Sequence, residues 1–555
     1  MTQRSAHSRL LAGPMRAPRN HGELLAIPPL TTAVELAEQN RSQFEKADVQ
    51  IGNRSLREFR QWTRDVLLAK AREWTHSTLG SVPDTPAAGS DSPLLFMTGH
   101  QPQLSHPGVW AKNIAVHALA DAHCGIGLNL IVDNDIADQL TIPVPAGPHA
   151  EPHRKPVEFA PATSRQPWEE LRLRDSEQVR EFPDRVHSLM ADWNIEPLLG
   201  TVWNAAIGSM SQTASLVAAL TACRVKEERR WGMRNLELPV SELSTTEPFL
   251  AFFAHICRNA AEFVRIYNEA VAAYRKENRI RNHRQPVPDL KVRGDQYELP
   301  FWYWEPGETD RRRVFVRSCG AGVDLIAGDK HLACLRPQDD VRVLADVQKR
   351  GRLRTKALTT TLFARLALAD LFVHGIGGAK YDEITDALFR DFVRIPAPEY
   401  LTITATLHLP LQPFPVTERT VLELKERLRD IEYNAERFLQ GDEVERLSQQ
   451  KQALIDEANA ERAEGLSRSE RRQRRPARRQ RHLQLKEIEA RLAAMAETER
   501  QKAAAELEVA ERQLAANRVL KSREFPSVLF PEPMLKDLLD AIRQSAAASV
   551  ESTSD

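Results

Sequence analysis

The 555-residue chain is poor in cysteine: Cys124, Cys223, Cys257, Cys319 and Cys334 are all it has, and no Cys-x-x-Cys occurs. An odd count without paired spacing indicates neither a disulfide framework nor a zinc knuckle. The five read as buried free thiols in a reducing, cytoplasmic setting. No apolar run approaches the roughly 20 residues needed to cross a bilayer, so no membrane partner is expected. The amino terminus is basic (Arg4, Arg9, Arg16, Arg19) but lacks the apolar core of a secretion signal. Net charge is lacking too. Lys plus Arg and Asp plus Glu both number 76, which argues against global attraction to nucleic acid. No H-E-x-x-H, G-x-S-x-G or kinase signature is present. What remains is a chain with 42% apolar residues, long enough for about three or four domains.

Periodicity organises it as an α/β protein: a Rossmann-like parallel-sheet core with a helical insertion and a carboxyl-terminal antiparallel coiled-coil hairpin. Residues 1–90 are irregular and then helical, with periodic apolar positions from Thr31 to His76. Residues 80–93 read as a linker. The core's first half (91–145) carries a strand from Leu94 to Thr98, a helix from Val109 to Ala122 and a strand from Leu128 to Val132, a βαβ order. A mostly helical insertion (146–300) includes one long amphipathic helix, Pro248 to Arg281. The second half (301–415) has strands at Tyr297–Trp304, Arg313–Arg317 and Leu368–His374 and a helix from Ala379 to Phe392. From 416 to 522 the composition turns to Glu, Arg, Ala, Leu and Gln. Two helical arms of about 40 to 45 residues would each reach roughly 65 Å, with the turn bracketed by Gly465 and Pro476. The last segment, 523–555, is an apolar docking stretch, Phe525–Met534, followed by a polar tail.

Two Gly-bearing turns carry the candidate chemistry. After the first strand come Gly99, His100, Gln101 and His106, with Lys112 beyond. Gly99 permits a tight bend, the two histidines suit phosphate oxygens, and Gln101 suits a polar substrate group. The competing reading is a pair of histidines hydrogen-bonded in a surface turn. Asp133 and Asp135, after the second strand, suit a metal ion or an amine, or equally an Asx-turn. The second turn, His374-Gly375-Ile-Gly377-Gly378-Ala-Lys380, reads as a ligand loop: glycines let backbone N–H groups approach an anion at a helix start. Arg352, Arg354 and Lys356 form a basic strip that fits phosphate, carboxylate or plain solvent. The aromatic clusters 231–239 and 301–304 read as core. Eight arginines between Arg468 and Arg481 crowd the hairpin tip, as a solvated loop or as an RNA grip.

Taken together these features resemble the bacillithiol-biosynthesis cysteine-adding enzymes, a family of cysteine ligases. Thr98-Gly99-His100-Gln101-Pro-Gln-Leu104 is similar to the family's Thr-Gly-Gln-Gln-x-x-Leu, and Phe372-Val-His-Gly-Ile-Gly-Gly378 resembles its later glycine strand. The family's Glu-Asp-His-Asp is here Val132-Asp-Asn-Asp135, without the histidine. The resemblance implies ligation of an amino acid, cysteine in the family, to the amine of a small acceptor such as an aminosugar conjugate. It implies ATP and Mg2+ as cofactors and a homodimer formed through the coiled coil. In that reading His100, His106 and Gly375 to Gly378 cradle phosphates, Asp133 and Asp135 hold metal or amine, and Gln101 orients the acceptor. The alternative is an RNA-binding protein that uses the Arg-tipped arm on a nucleotide-binding core.

Overall fold

Six short apolar segments assemble into one sheet: β1 (Leu24–Ile27), β2 (Leu95–His100), β3 (Ile126–Ile131), β4 (Leu236–Pro239), β5 (Leu371–His374) and β6 (Tyr400–Ala405). The computed structural model describes residues 15–86, 92–161, 165–173, 176–210, 213–320, 322–465 and 467–551. Arg4, Arg9, linker positions 87–91 and the final four residues of the tail lie outside these. The sheet order is β1-β6-β5-β2-β3-β4, parallel throughout except for β1, which runs antiparallel to β6. Every position of β3 is buried, as a strand covered on both faces requires. The chain moves outward from β2 through β3 to β4, then returns to the other side of β2 for β5 and β6. The strand order therefore reverses between β2 and β5.

Helices cover both faces. Helix α1 (Leu56–Leu79) starts from a Ser55–Glu58 capping box and packs on β4. Helix α2 (Pro107–Ala122) connects β2 to β3, α3 (Leu216–Arg230) precedes β4, and α4 (Ile376–Leu388) connects β5 to β6. Val116 of α2 comes within 3.2 Å of where a Gly127 Cβ would stand. On the opposite face, Ile126, Leu128 and Leu130 share a core with Ile384 and Leu388 of α4. Helix α5 (Glu532–Glu551) buries Leu535, Leu538, Leu539, Ile542 and Ala546 at helical spacing and packs on α2. The closing segment is thus a helix where a polar tail is expected from composition. The docking stretch before it is buried, with Phe525, Leu529 and Phe530 fully enclosed.

Several expected elements are redrawn. The stretch from Thr31 to His76 is two helices, Ala33–Lys46 and α1, separated by a small hairpin at residues 50–55. The helix expected from Pro248 to Arg281 breaks at Asn259 into Glu247–Arg258 and Ala260–Glu277. Strand β4 lies inside the stretch read as a helical insertion. Gln296–Trp304 and Arg312–Cys319 do not join the parallel sheet; they form a second, antiparallel sheet with Val292–Arg293, Gly322–Ala327, Lys330–Leu335 and Arg352–Thr355.

The chain divides into two compact units, one of residues 1–144, 155–409 and 523–555, the other of 145–154 and 410–522. The second unit is built mainly from antiparallel helix pairs. Glu418–Tyr433 packs on Glu497–Leu520, and Asp442–Ala463 packs on Arg475–Met495. Ion pairs Lys425–Glu511 (2.7 Å) and Arg427–Glu506 (2.9 Å) cross the first pair of helices. Neither limb is continuous, since the first is interrupted between Tyr433 and Asp442 and the second at Ala496. The reversal uses Gly465 in a left-handed conformation and a Ser467 cap, while Pro476 sits in the first turn of its helix, where proline is tolerated.

Asp370, which directly precedes β5, ties the sheet together. Its fully buried carboxylate meets Arg41 (2.7 Å), Arg60 (3.2 Å) and Arg64 (2.5 Å), and it accepts the Leu95 N–H at the start of β2 (2.9 Å). Burial pushes its carboxyl up, but Arg64, Arg60 and Arg41 together outweigh that and hold it below the ordinary range. Asp370→Asn should cost about 3–5 kcal/mol in urea unfolding at pH 7, because three clustered arginines lose their counter-charge. A group depressed in the fold stabilises above its unfolded pKa and loses that contribution as pH falls through its folded value. The gap between parent and variant should therefore close on acidification.

Candidate functional site

Adjacent parallel strands put the two Gly-bearing turns side by side. The register Leu371↔Phe96, Phe372↔Met97, Val373↔Thr98 delivers Gly99 and His374 to the same carboxyl edge of the sheet, although they are far apart in sequence. Beyond that point β2 stays paired with β3 (Gly99↔Leu130, His100↔Ile131) while β5 turns into α4. A reversal of strand order of this kind is where open α/β sheets bind ligands.

Lys112 stands between the turns. Its Nζ donates to the Gly99 carbonyl at 2.7 Å, and its Cδ lies 3.6 Å from where a Gly375 Cβ would be. The side chain is buried, and burial pushes the ammonium down to about 8. It still carries its charge at pH 7. A buried ammonium with a single carbonyl partner is a costly group for a fold to keep, which makes Lys112 a candidate site residue.

The first turn is ordered by its own polar groups. Nδ1 of His100 lies 2.9 Å from the Gln101 carbonyl oxygen, so that nitrogen carries the proton and Nε2 is left as an acceptor. Burial pushes the His100 imidazole down to about 3, with the Lys112 charge adding to the shift. His106 is the N-cap of α2, its Nδ1 accepting from the Gly108 N–H at 3.1 Å, which leaves Nε2–H as a donor. Burial and then the Arg523 guanidinium push His106 down to about 4. Both rings are neutral at pH 7, so neither brings the positive charge expected for a phosphate clamp; Lys112 does. Gln101 donates to Asp135 at 3.2 Å.

The second turn divides its glycines between steric and open roles. A Cβ on Gly378 would meet His374 Nδ1 at 2.9 Å, so this glycine makes room for the imidazole. That ring turns inward, with Nε2 2.9 Å from Asp382 and the ring edge-on to Tyr400 at 4.9 Å. Asp382 and Asp386 both pair with the buried Arg365, the latter at 2.8 Å. His374 thus belongs to a buried ionic group under the start of α4. Gly377 has open space around it, Gly375 faces Lys112, and Lys380 is exposed.

Asp133 and Asp135 diverge. Both oxygens of Asp133 accept from Ser241, one from its N–H at 2.9 Å and one from its hydroxyl. Burial and the nearby Glu169 push Asp133 up to about 7, against those hydrogen bonds. Asp135 accepts from the N–H of the next residue, Ile136 (2.9 Å), and lies 3.6 Å from Arg311. The pair does not fit a shared magnesium ion, because its oxygens are committed to different neighbours. The basic strip is committed as well: Arg354 pairs with Glu169 (2.7 Å) and Lys356 with Glu298 (2.7 Å).

Beside the first turn lies a small cleft, lined by His100, Gln101, Asn113, Asn129, Thr221 and Arg224 among others. Its floor is a buried network absent from the sequence reading. Arg224 pairs with Glu228 and Glu237, both at 2.6 Å, Trp110 donates to Glu228 (2.7 Å) and Asn129 to Glu237 (2.8 Å). The buried Asn129 Oδ1 has no partner, leaving an acceptor. The signal in the sequence was Glu237, an acid inside the apolar run Leu236-Glu-Leu-Pro239. No family model matches the chain, and no curated protein matches it.

Above pH 8 the Lys112 cost should fade. A lysine depressed in the fold destabilises it at constant strength below the folded pKa, and that penalty vanishes by the unfolded value near 10.5. Denaturant titrations of Lys112→Met against the parent should show the variant losing roughly 3 kcal/mol of relative stability between pH 8 and 10.5. A pH-independent difference would mean the ammonium is not desolvated.

Proposed function

We propose that this chain is a carbon–nitrogen ligase with a Rossmann-like, nucleotide-binding core. In this reading it joins an amino acid, cysteine by the sequence resemblance, to the amine of a small acceptor such as an aminosugar conjugate, with ATP as the activating nucleotide and a place in low-molecular-weight thiol biosynthesis. The observation that carries it is the convergence of the two Gly turns at the reversal of strand order, with Lys112 between them.

The groups divide the work by charge. Lys112, the N–H groups at the start of α4 and the His106 Nε2–H face an anionic ligand, with Gly377 leaving space for close approach. On the cleft side, the neutral His100 offers Nε2 as a hydrogen-bond acceptor, suited to orienting an amine N–H. Uncharged Asn113, Asn129 and Thr221 suit hydroxyl or amide groups of the acceptor. Asp133 and Asp135 are not metal ligands in this reading; Gln101 and Asp135 act as one hydrogen-bonded pair that orients the acceptor. Rate enhancement comes from positioning and charge stabilisation. The dimer implied by the resemblance forms through the helical arm.

The direct test is mass-spectrometric detection of an amide product from ATP, cysteine and an aminosugar acceptor. His100→Ala should lower kcat by about 100-fold, the cost of losing a group that positions the amine, with an unchanged melting temperature. Equal loss of fold and activity would make His100 structural.

A second reading, RNA binding, draws on the exposure of Arg468, Arg471, Arg472, Arg475 and Arg479 at the arm's tip. Arg474, Arg478 and Arg481 instead pair with Glu464 and Glu461 across the hairpin. If the tip grips RNA, changing the five exposed arginines to glutamine should weaken binding and flatten its salt dependence in a filter-binding series. Unchanged affinity would remove this reading.

A further inference from the structure

Cysteines that look unrelated in sequence meet on the second sheet. Sγ of Cys319 and Sγ of Cys334 are 3.1 Å apart, and a carboxylate oxygen of Asp324 lies within 4.8 Å of both. The strands Arg312–Cys319, Gly322–Ala327 and Lys330–Leu335 form a meander whose register explains the meeting. Cys319 pairs with Gly322, and Asp324, two residues on and hence on the same face, pairs with Cys334. A bulge then inserts Leu332 between pairs Leu325↔Ala333 and Ile326↔His331. Without it Leu332 would stand opposite Ile326; with it His331 takes that place and joins Asp324 and Cys334 on one face. Leu332 is buried instead. His331 Nε2 reaches Asp324 at 3.2 Å.

We propose that Cys319, Asp324, His331 and Cys334 form a binding site for a thiophilic divalent cation, zinc by preference. Both thiols are half-buried on the outward side of the meander, whose other side, with Val323, Leu325 and Ala333, packs on the core. Two thiols, an imidazole and a carboxylate are a tetrahedral zinc ligand set, with Zn–S of about 2.3 Å and Zn–N or Zn–O of about 2.0–2.1 Å. Those lengths place tetrahedral ligands about 3.8 Å apart for two sulfurs and about 3.3 Å apart for nitrogen and oxygen. The His331–Asp324 spacing already matches, the sulfurs need to separate by roughly 0.7 Å, and the His331 ring must swing toward the thiols, since it stands outside the 4.8 Å group that Cys319, Asp324 and Cys334 form. A disulfide would need them to close by about 1 Å, to a length near 2.05 Å. It would also give no role to the bulge that brings in His331. Binding would release both thiol protons to solvent. Two thiolates and a carboxylate around a divalent ion leave one net negative charge, and Arg317, which donates to the other Asp324 oxygen at 3.1 Å, balances it. The ion would clamp three strands within a span of 16 residues.

The test uses the full chain, reduced with a thiol-free phosphine, loaded with zinc, desalted and measured by elemental analysis. One zinc per chain is expected, retained by Cys124→Ser and lost by the Cys319→Ser/Cys334→Ser double variant. Cobalt loading should give thiolate-to-metal charge-transfer absorption with intense tetrahedral bands, and His331→Ala should weaken affinity by at least about tenfold. The parent's stoichiometry and cobalt spectrum stand even if the double variant fails to fold. Less than half a zinc per chain in the parent, equal zinc in a folded double variant, or a disulfide whose reduced form takes no metal would overturn the proposal.

Discussion

One buried carboxylate organises the carboxyl edge of the parallel sheet from its far side. Asp370 holds the amino ends of β2 and β5 together through the Leu95 N–H, and it gathers Arg41, Arg60 and Arg64 from two helices against them. Because strands are stiff over four to six residues, a register held at one end is a register delivered at the other. The adjacency of Gly99 and His374 therefore depends on a contact one full strand length away. Arg60 and Arg64 also donate to carbonyls of residues 365–369, so the turn into β5 is held from both sides. A lone buried charge would be ruinous; a hydrogen-bonded one among three arginines is a specific anchor.

At the carboxyl edge the logic inverts. Positive groups there are few and isolated, with Lys112 answered by one carbonyl, whereas the cleft floor beside it sets two glutamates around the single Arg224. A cationic side at the reversal point thus adjoins a hydrogen-bonding side under α2 that has no excess positive charge. An anionic ligand and a neutral polar one would sort themselves between the two. The inward-turned His374 shows why a glycine-rich turn cannot be assumed to serve a ligand throughout. Gly378 answers a packing need, and Gly377 answers none inside the protein.

The parts of the fold legible in sequence were those with strong local signals. The β2-α2-β3 unit and the β5 turn into α4 were placed to within a few residues, because apolar runs end at glycine there. What was missed depends on distant partners. Leu24–Ile27 is a strand only because the β6 edge is open beside it, and Leu236–Pro239 only because β3 offers its backbone. Both segments are too short to show a period. The arrangement of charges was equally hidden: Asp370 and Asp382 look like ordinary surface acids until arginines from elsewhere meet them. The thiol pair was invisible for a further reason, since a bulge changes which side chains share a face and leaves no mark in spacing.

The core is finished by pieces drawn from distant stretches of the polypeptide. β1 pairs with β6, and α5 closes over α2, more than 400 residues after it. During translation α2 would emerge hundreds of residues before its cover, and its apolar flank would wait, unshielded, until α5 left the ribosome. Through that interval the half-made core stays exposed to chaperones and proteases. A premature stop between β6 and α5 would yield a core that never closes.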